Sequence, residues 1–131
     1  MKRFIFILLL SNFFPSTSYG EWTPIVTNAF NNNVYIDIET IKRMDKYTYV
    51  WTLEDFKNKR DEFGDLSKSI IYEIDCRKNL IQVIQIITHP KSMGIGFGKE
   101  YKYDNNWINP PPLSTFGVVK TLVCDFADKN L

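Results

Sequence analysis

The sequence predicts an α+β domain: a bent antiparallel sheet of five to six strands with a C-terminal helix packed across one face and one disulfide. Three observations lead to this fold class. Segments that alternate aromatic and β-branched residues with period two follow one another, separated by short polar turns. An apolar stripe with helical spacing occurs near the end of the chain, and the two cysteines link these parts, since Cys76 ends a predicted strand and Cys124 lies in the predicted helix.

Residues 1–20 have the features of a cleaved secretory signal peptide. Lys2 and Arg3 form a positive start, an apolar stretch runs from Phe4 to Phe14, and the small residues Ser18 and Gly20 precede Glu21. The apolar stretch is shorter than the roughly 18–20 residues that a membrane-spanning helix needs. We therefore predict an exported protein with a single domain over residues 21–131 and no transmembrane segment after cleavage.

The first half of this domain reads as strands joined by polar loops. A short strand is predicted at Val34–Ile38, after the turn-prone run Asn31–Asn33. The segment "DKYTYVWTLEDF" alternates, so that Tyr47, Tyr49, Trp51 and Leu53 share one side and Thr48, Val50 and Thr52 the other. The charged segment "KNKRDEFGD" is expected to be a solvated hairpin loop.

The second half contains three further strands and the helix. "SKSIIYEIDC" alternates, and "LIQVIQIITH" is apolar enough to be expected near the middle of the sheet. A weaker strand is predicted around Lys99–Tyr103, and the prolines of "INPPPLS" favour an extended segment. Ser114 can then cap a helix whose apolar stripe is formed by Val119, Leu122, Val123 and Phe126.

Three glycines at alternate positions, Gly94, Gly96 and Gly98, raise the alternative of a phosphate-binding loop. Such a loop needs a helix N-terminus directly after it, and "KEYKYDNNW" has strand character instead. We therefore interpret the three glycines as strand positions at which the sheet bends.

The two cysteines, Cys76 and Cys124, are expected to be bridged, because exported chains meet oxidising conditions. The alternative is a metal site, but two thiols and the single His89 make a thin ligand set. No metal and no cofactor is therefore predicted.

No catalytic constellation emerges from the remaining polar residues. His89, followed by Pro90, is interpreted as a turn residue, and Glu73 and Asp75 as solvated carboxylates on one strand face, although paired carboxylates also occur in glycosidases. The aromatic residues Tyr47, Tyr49, Trp51 and Trp107 suit either a binding face or, as is commoner at period two, a core. Basic residues around the first cysteine are the candidate partner-binding surface, diluted by acidic neighbours: Lys57, Lys59, Arg60, Arg77 and Lys78.

Charge excludes one class of partner. Without the two basic residues of the signal peptide, 14 of the 16 basic residues remain against 15 acidic ones. Nucleic acid is therefore not an expected partner, because its phosphates demand a clearly basic face.

Several segments together resemble the surface-adhesin protein E-like domains of Gram-negative bacteria. They are Trp22, "YIDIETI", "VWTLEDF", "SIIYEIDC", "MGIGFG", "WINPPPLS" and a helix ending in "VC", in this order over nearly the whole mature chain. The resemblance implies a bent antiparallel sheet with a helix across it, and it places the family's two cysteines on Cys76 and Cys124. The family's namesake is an outer-surface lipoprotein that adheres to host matrix and serum proteins, whereas this chain has no lipid-accepting cysteine after its apolar stretch.

These observations favour an exported, non-enzymatic, adhesin-like protein that engages a host matrix or envelope protein through a sheet face or its loops. The periplasm is the favoured compartment, ahead of the outer surface or secretion. The alternatives are a periplasmic enzyme or small-ligand carrier that uses the concave sheet face, and a structural envelope component.

Overall fold

The computed structural model describes residues 21–58, 64–103 and 106–131. In that part of the chain, six strands form one antiparallel sheet in which each strand pairs with the next along the sequence, and one α-helix follows. The predicted signal peptide and the centre of the charged loop lie outside the described residues. The elements are β1 Thr23–Thr27, β2 Asn33–Met44, β3 Tyr47–Asp55, β4 Ser67–Asp75, β5 Leu80–His89, β6 Glu100–Lys102 and α1 Thr115–Asn130.

The predicted α+β class and antiparallel sheet are confirmed, with three differences in the strands. β1 was not predicted from a residue pattern, and β2 extends well beyond Ile38. Its pairing with β3 shifts between Asp37 and Lys42, so a bulge carries the strand past the point where alternation ends. β5 is the fifth of six strands, so β3 and β4 hold the centre of the sheet instead.

Three of the tight connections use asparagine or aspartate with a positive φ. Asn31, Asp45 and Asn79 have φ values of 65°, 59° and 56° in the turns after β1, β2 and β4. These two residue types tolerate the left-handed region better than other non-glycine residues, because their short polar side chains bond locally.

Helix α1 lies against one face of the sheet, which we call the helix side. Val119 and Val123 are fully buried there, in one cluster with Ile36, Val50 and Ile74. Burying each valine contributes about 1.5–3 kcal/mol. The predicted cap is confirmed, since the Ser114 side chain accepts a hydrogen bond from the Gly117 amide at 3.1 Å.

The predicted apolar stripe of α1 needs one correction. Leu122 is 42% exposed, whereas Ala127 is buried. Positions 119, 123 and 127 therefore form the inner line of the helix, and Leu122 lies at its margin.

The predicted disulfide between Cys76 and Cys124 is confirmed, with Cα atoms 5.7 Å apart. It joins the residue that follows β4 to the middle of α1, so it fastens the last element to the centre of the sheet. The described residues include no helix that is long and apolar enough to cross a membrane.

The placement of the three glycines differs from the prediction. They lie in the loop between β5 and β6, beginning with a short 3₁₀ turn at Ser92–Gly94, and not within a strand. Gly94 and Gly96 have positive φ values of 76° and 83°, which a strand does not use. At Gly98 a Cβ atom would come within 2.6 Å of the Thr88 hydroxyl, so glycine is required there by close approach. Loop geometry, not strand bending, explains this spacing.

Candidate functional site

The face of the sheet opposite α1 carries the aromatic residues of β3. Side chains alternate along a strand, and Thr48, Val50 and Thr52 point to the helix side, where they are buried. Tyr47, Tyr49 and Trp51 therefore project from the other face, and each is half-buried. Of the two alternatives, a binding face and a core, these three residues fit the first better, because they lie outside the main hydrophobic core. We call this surface the open face, defined by Tyr47, Tyr49, Trp51, Ile71, Glu73, Gln85 and Trp107.

Glu73 is the polar centre of the open face. It accepts hydrogen bonds from the Tyr49 hydroxyl on β3 and from the Gln82 side-chain amide on β5, the latter at 2.6 Å. The hydrogen bond to Glu73 raises the pKa of Tyr49 to about 12, with smaller contributions from burial and from the Glu73 charge. Tyr49 is therefore a neutral donor at physiological pH, and three strands are tied together across this face.

Gln82 has an unusual environment. Its side chain is 3% exposed, and its Oε1 atom has no hydrogen-bond partner among the described residues. The orientation of this amide follows from Glu73, because a carboxylate can only accept and so requires the NH2 group. Buried amide oxygens of this kind commonly meet an ordered water.

An aromatic pair closes one end of the open face. The rings of Tyr47 and Trp107 have centroids 5.1 Å apart at an angle of 43°, and the Lys46 ammonium lies 5.3 Å from the Tyr47 ring. Trp107 reaches this position because the segment after β6 is held by paired backbone hydrogen bonds between Ile81 and Ile108. The sheet thus gains a seventh, very short partner beside β5.

The β5–β6 loop covers the other end of this face, and His89 holds it there. Its Nδ1 lies 2.6 Å from the Gly96 carbonyl oxygen and its Nε2 lies 2.7 Å from the Ser69 hydroxyl. Because a carbonyl only accepts, Nδ1 donates to Gly96, while Nε2 forms the hydrogen bond with the Ser69 hydroxyl. His89 ends β5 and is buried, so it is a structural residue of the strand end and loop, not a turn residue.

Backbone amides of this loop also donate hydrogen bonds to other parts of the protein. The amides of Met93, Gly94 and Gly98 donate to Asp55, Ser67 and Thr88, at 2.8, 2.9 and 2.8 Å. An anion-binding loop turns such amides towards its ligand. The phosphate-loop alternative therefore has no support in the geometry.

Glu73 and Asp75, interpreted from the sequence as solvated carboxylates, are instead hydrogen-bonded within the protein, and Asp75 is buried. Glu73 is shared between Tyr49 and Gln82, whereas Asp75 accepts from the amides of Arg77 and Lys78, both at 3.2 Å, and so fixes the β4–β5 turn. The part of the chain that the structure describes also contains no group of three or more His, Cys, Asp or Glu residues arranged to hold a metal ion.

The predicted basic surface is divided between the two ends of the sheet. Lys57 follows β3, whereas Arg77 and Lys78 follow β4, which runs in the opposite direction. Eight register pairs separate these ends, about 25 Å of strand. Lys59 and Arg60 lie outside the described residues. Arg77 instead shares a depression with Arg43 and Lys46 at the end of the sheet, and Thr48 and Asp128 of α1, which also line it, place this depression on the helix side.

The sequence reading missed the contribution of β5 to the open face. Gln82 and Gln85 are three residues apart, so a regular strand would place them on opposite faces. A register shift around Ile84 brings both to the open face, where Gln82 pairs with Glu73 and Gln85 with Ile71. The signal was present as two glutamines in an otherwise apolar strand.

The chain is similar to known proteins in sequence and in fold. The family described as Surface-adhesin protein E matches residues 22–125. A structure of protein E from non-typeable Haemophilus influenzae aligns with a TM-score of 0.62 at 13% identity, covering 88% of this chain and 83% of that chain. A second Haemophilus influenzae protein E structure gives 0.61 at 12% identity, covering 89% and 93%. At such identities the likeness concerns the fold, and no curated protein sequence matches this chain.

Proposed function

The chain belongs to the Surface-adhesin protein E family, and from this premise we propose that it is an exported, non-enzymatic protein that binds a protein partner through the open face. The partner class is a host matrix protein or a protein of the cell's own envelope. The family supports adhesin-like behaviour, and the open face supplies a surface for it.

The observation that carries this proposal is the aromatic character of a sheet face that α1 leaves uncovered. Tyrosine and tryptophan dominate the energetically important residues of protein interfaces, because they bury large areas at a small entropic cost. Trp51 is flanked in register by Ile71, and Tyr49 by Glu73, so the surface combines apolar area with fixed polar groups. This composition suits a protein partner better than a catalytic reaction.

One basic group adds a second element to the proposal, because the Lys46 ammonium lies 5.3 Å from the centre of the Tyr47 ring at one end of the open face. We expect this charge to contribute mainly to the association rate, and its contribution to fall as salt is raised.

The direct test is binding by a Trp51→Ala variant. The purified protein is immobilised and exposed to matrix proteins and to envelope extract, and the retained partner is then titrated. Trp51→Ala is expected to weaken binding by roughly thirtyfold or more, the effect of a central interface residue. Tyr101→Ala is the matched control, because Tyr101 is 44% exposed on β6 and projects to the helix side with Ile86.

Two results would count against the proposal. One is the absence of any specific retained protein, and the other is equal loss of binding in the Tyr101→Ala control. Thermal unfolding of each variant shows whether the fold is retained.

The proposed location is the periplasm, with display on the outer surface as the alternative. Protease treatment of intact cells separates the two, because only a surface-displayed protein is digested before the outer membrane is opened. Digestion in intact cells would replace the periplasmic location by surface display.

A further inference from the structure

Helix α1 covers only part of the helix side, and a groove remains where the helix begins. Its volume is about 550 Å³, and it lies between the β1–β2 turn and the first turn of α1. Known small-molecule sites occupy about 300–1,000 Å³. The groove is therefore of a size that holds a small ligand, and we call it the helix-side groove.

The floor of the helix-side groove is apolar. Ile70, Tyr72, Val83 and Ile86 supply it from the sheet, and Phe116 packs edge-on against the Tyr72 ring at 5.3 Å. Burial raises the pKa of the Tyr72 hydroxyl, so this residue stays neutral at physiological pH. Such a floor favours hydrocarbon over a polar molecule.

The rims of the groove are apolar and exposed. Phe30 on the β1–β2 turn is 69% exposed and Leu113 before α1 is 92% exposed. Large side chains exposed on both sides of a cavity lose contact with water when an apolar ligand lies between them. Burial of these two side chains therefore adds to the binding free energy expected for an apolar ligand in the groove.

One end of the groove is charged. Lys68 forms an ion pair with Glu54 at 3.5 Å, and the lysine is the more exposed partner, with 29% of its side chain accessible against 11% for the glutamate. Glu54 also accepts hydrogen bonds from Asn28 and Asn32, at 2.7 and 2.8 Å. Both residues line the groove. The carboxylate is held by Lys68 and by the two asparagine side chains, whereas the ammonium, which also lies 6.0 Å from the centre of the Phe56 ring, carries three donors.

The apolar and charged parts are arranged in line. Tyr72 and Lys68 lie four residues apart on the same face of β4, a separation of about 13 Å. A ligand that fits both parts has an elongated hydrocarbon portion that ends in an acceptor group.

We propose that the helix-side groove binds a single-chain amphiphile, with its hydrocarbon tail on the floor near Phe116 and its anionic head group at Lys68. The charge of the partly exposed lysine selects an anion, and the volume of about 550 Å³ favours a ligand with one hydrocarbon chain. This site is separate from the open face and does not depend on the function proposed for it.

The test compares three amphiphiles with the same ten-carbon chain: decanoate, decanol and decyltrimethylammonium. Each is titrated into the purified protein at concentrations at which the amphiphile stays dissolved and monomeric, and displacement of the dye N-phenyl-1-naphthylamine is followed. We expect decanoate to bind about tenfold or more tightly than decanol, because its carboxylate can form a charge-assisted hydrogen bond with Lys68. We expect the cation to bind least tightly.

Four variants locate the site. Val83→Trp fills the floor and is expected to abolish decanoate binding, whereas Leu122→Trp, in the separate depression beside the end of α1, leaves it unchanged. Lys68→Met is expected to reduce the affinity for decanoate to that for decanol. Lys68→Arg keeps the positive charge opposite Glu54 and is expected to retain the preference for decanoate over decanol. It therefore tests the role of the charge even if Lys68→Met fails to fold.

Several outcomes would overturn the proposal. They are the absence of decanoate binding in the millimolar range, tighter binding of the cation than of the anion, and unchanged binding in a folded Val83→Trp variant. Loss of the anion preference in Lys68→Arg would also contradict the role given to the lysine charge.

Discussion

At the residue scale, the hydrogen bond between Tyr49 and Glu73 links the chemistry of the open face to stability. Glu73 is an acceptor for two donors on neighbouring strands, and this arrangement favours the neutral form of Tyr49. The spacing of Glu73 and Asp75 in the sequence gave no sign of either partner, because pairing depends on the register of β3 and β5. Carboxylates that are close in sequence acquire different roles from the strands beside them.

Tyr49 should make the protein lose stability in alkaline solution. Its pKa rises from 10 in the unfolded chain to about 12 in the folded protein, so the stabilisation is fully present below pH 10 and is lost as the pH rises towards 12. Tyr49→Phe is therefore expected to show a shallower loss of unfolding free energy between pH 10 and 12. Denaturant unfolding at a series of pH values measures this loss.

Tyr101→Phe is the control for this measurement, because Tyr101 is an exposed tyrosine on the helix side. Tyr72 also has a raised pKa and contributes in the same direction in every variant. The prediction therefore concerns the difference between Tyr49→Phe and the unaltered protein. Parallel stability curves for these two proteins would contradict it.

At the element scale, the strands with clear alternation could be predicted and the irregular ones could not. β3 and β4 follow from period two, β5 follows from its apolar run, and α1 follows from its cap and apolar positions. β1 has only five residues and includes Pro24, and β2 passes through a bulge, so neither gives a regular pattern. Helix propensity alone makes Gly117, in the first turn of α1, a weak position, and the structure gives this residue a different meaning.

Gly117→Ala should destabilise the protein, although alanine is the better helix former. A Cβ atom at this position would lie 2.1 Å from the Pro111 carbonyl oxygen and 2.9 Å from that of Pro112. Helix propensity alone predicts a gain of about 1 kcal/mol, whereas forcing an atom into a packed contact costs about 1–3 kcal/mol or more. Because the atoms in contact belong to the backbone, we expect the steric cost to exceed the gain in helix propensity.

Thermal unfolding of Gly117→Ala beside Thr121→Ala checks this prediction. Thr121 is exposed on the same helix, so its replacement tests propensity without a steric contact and should be neutral or slightly stabilising. A Gly117→Ala variant that is more stable than the unaltered protein would show that the triple-proline segment moves away easily.

At the scale of the whole molecule, one layer of sheet separates two surfaces of different character. Alternation in β3 divides its side chains between the faces, but both sets contain residues that suit a core, so the sequence did not reveal which face α1 would cover. That choice follows from the disulfide to α1 and from the packing of Val119 and Val123. The candidate sites could therefore be recognised as sets of residues, but their faces required the structure.

This separation predicts that the two proposed sites act independently. Trp51 lies on the open face and Val83 on the helix side, and the sheet between them is continuous from β1 to β6. Coupling between two sites requires a change of conformation that both ligands favour differently, and the disulfide holds α1 in one position on the sheet. Saturating decanoate should therefore change the affinity for the protein partner by less than about twofold, which is below the usual range of coupling. Likewise, Trp51→Ala should retain decanoate binding, and Val83→Trp should retain partner binding. Loss of partner binding on addition of decanoate would instead mean that α1 or the β1–β2 turn moves when the groove fills.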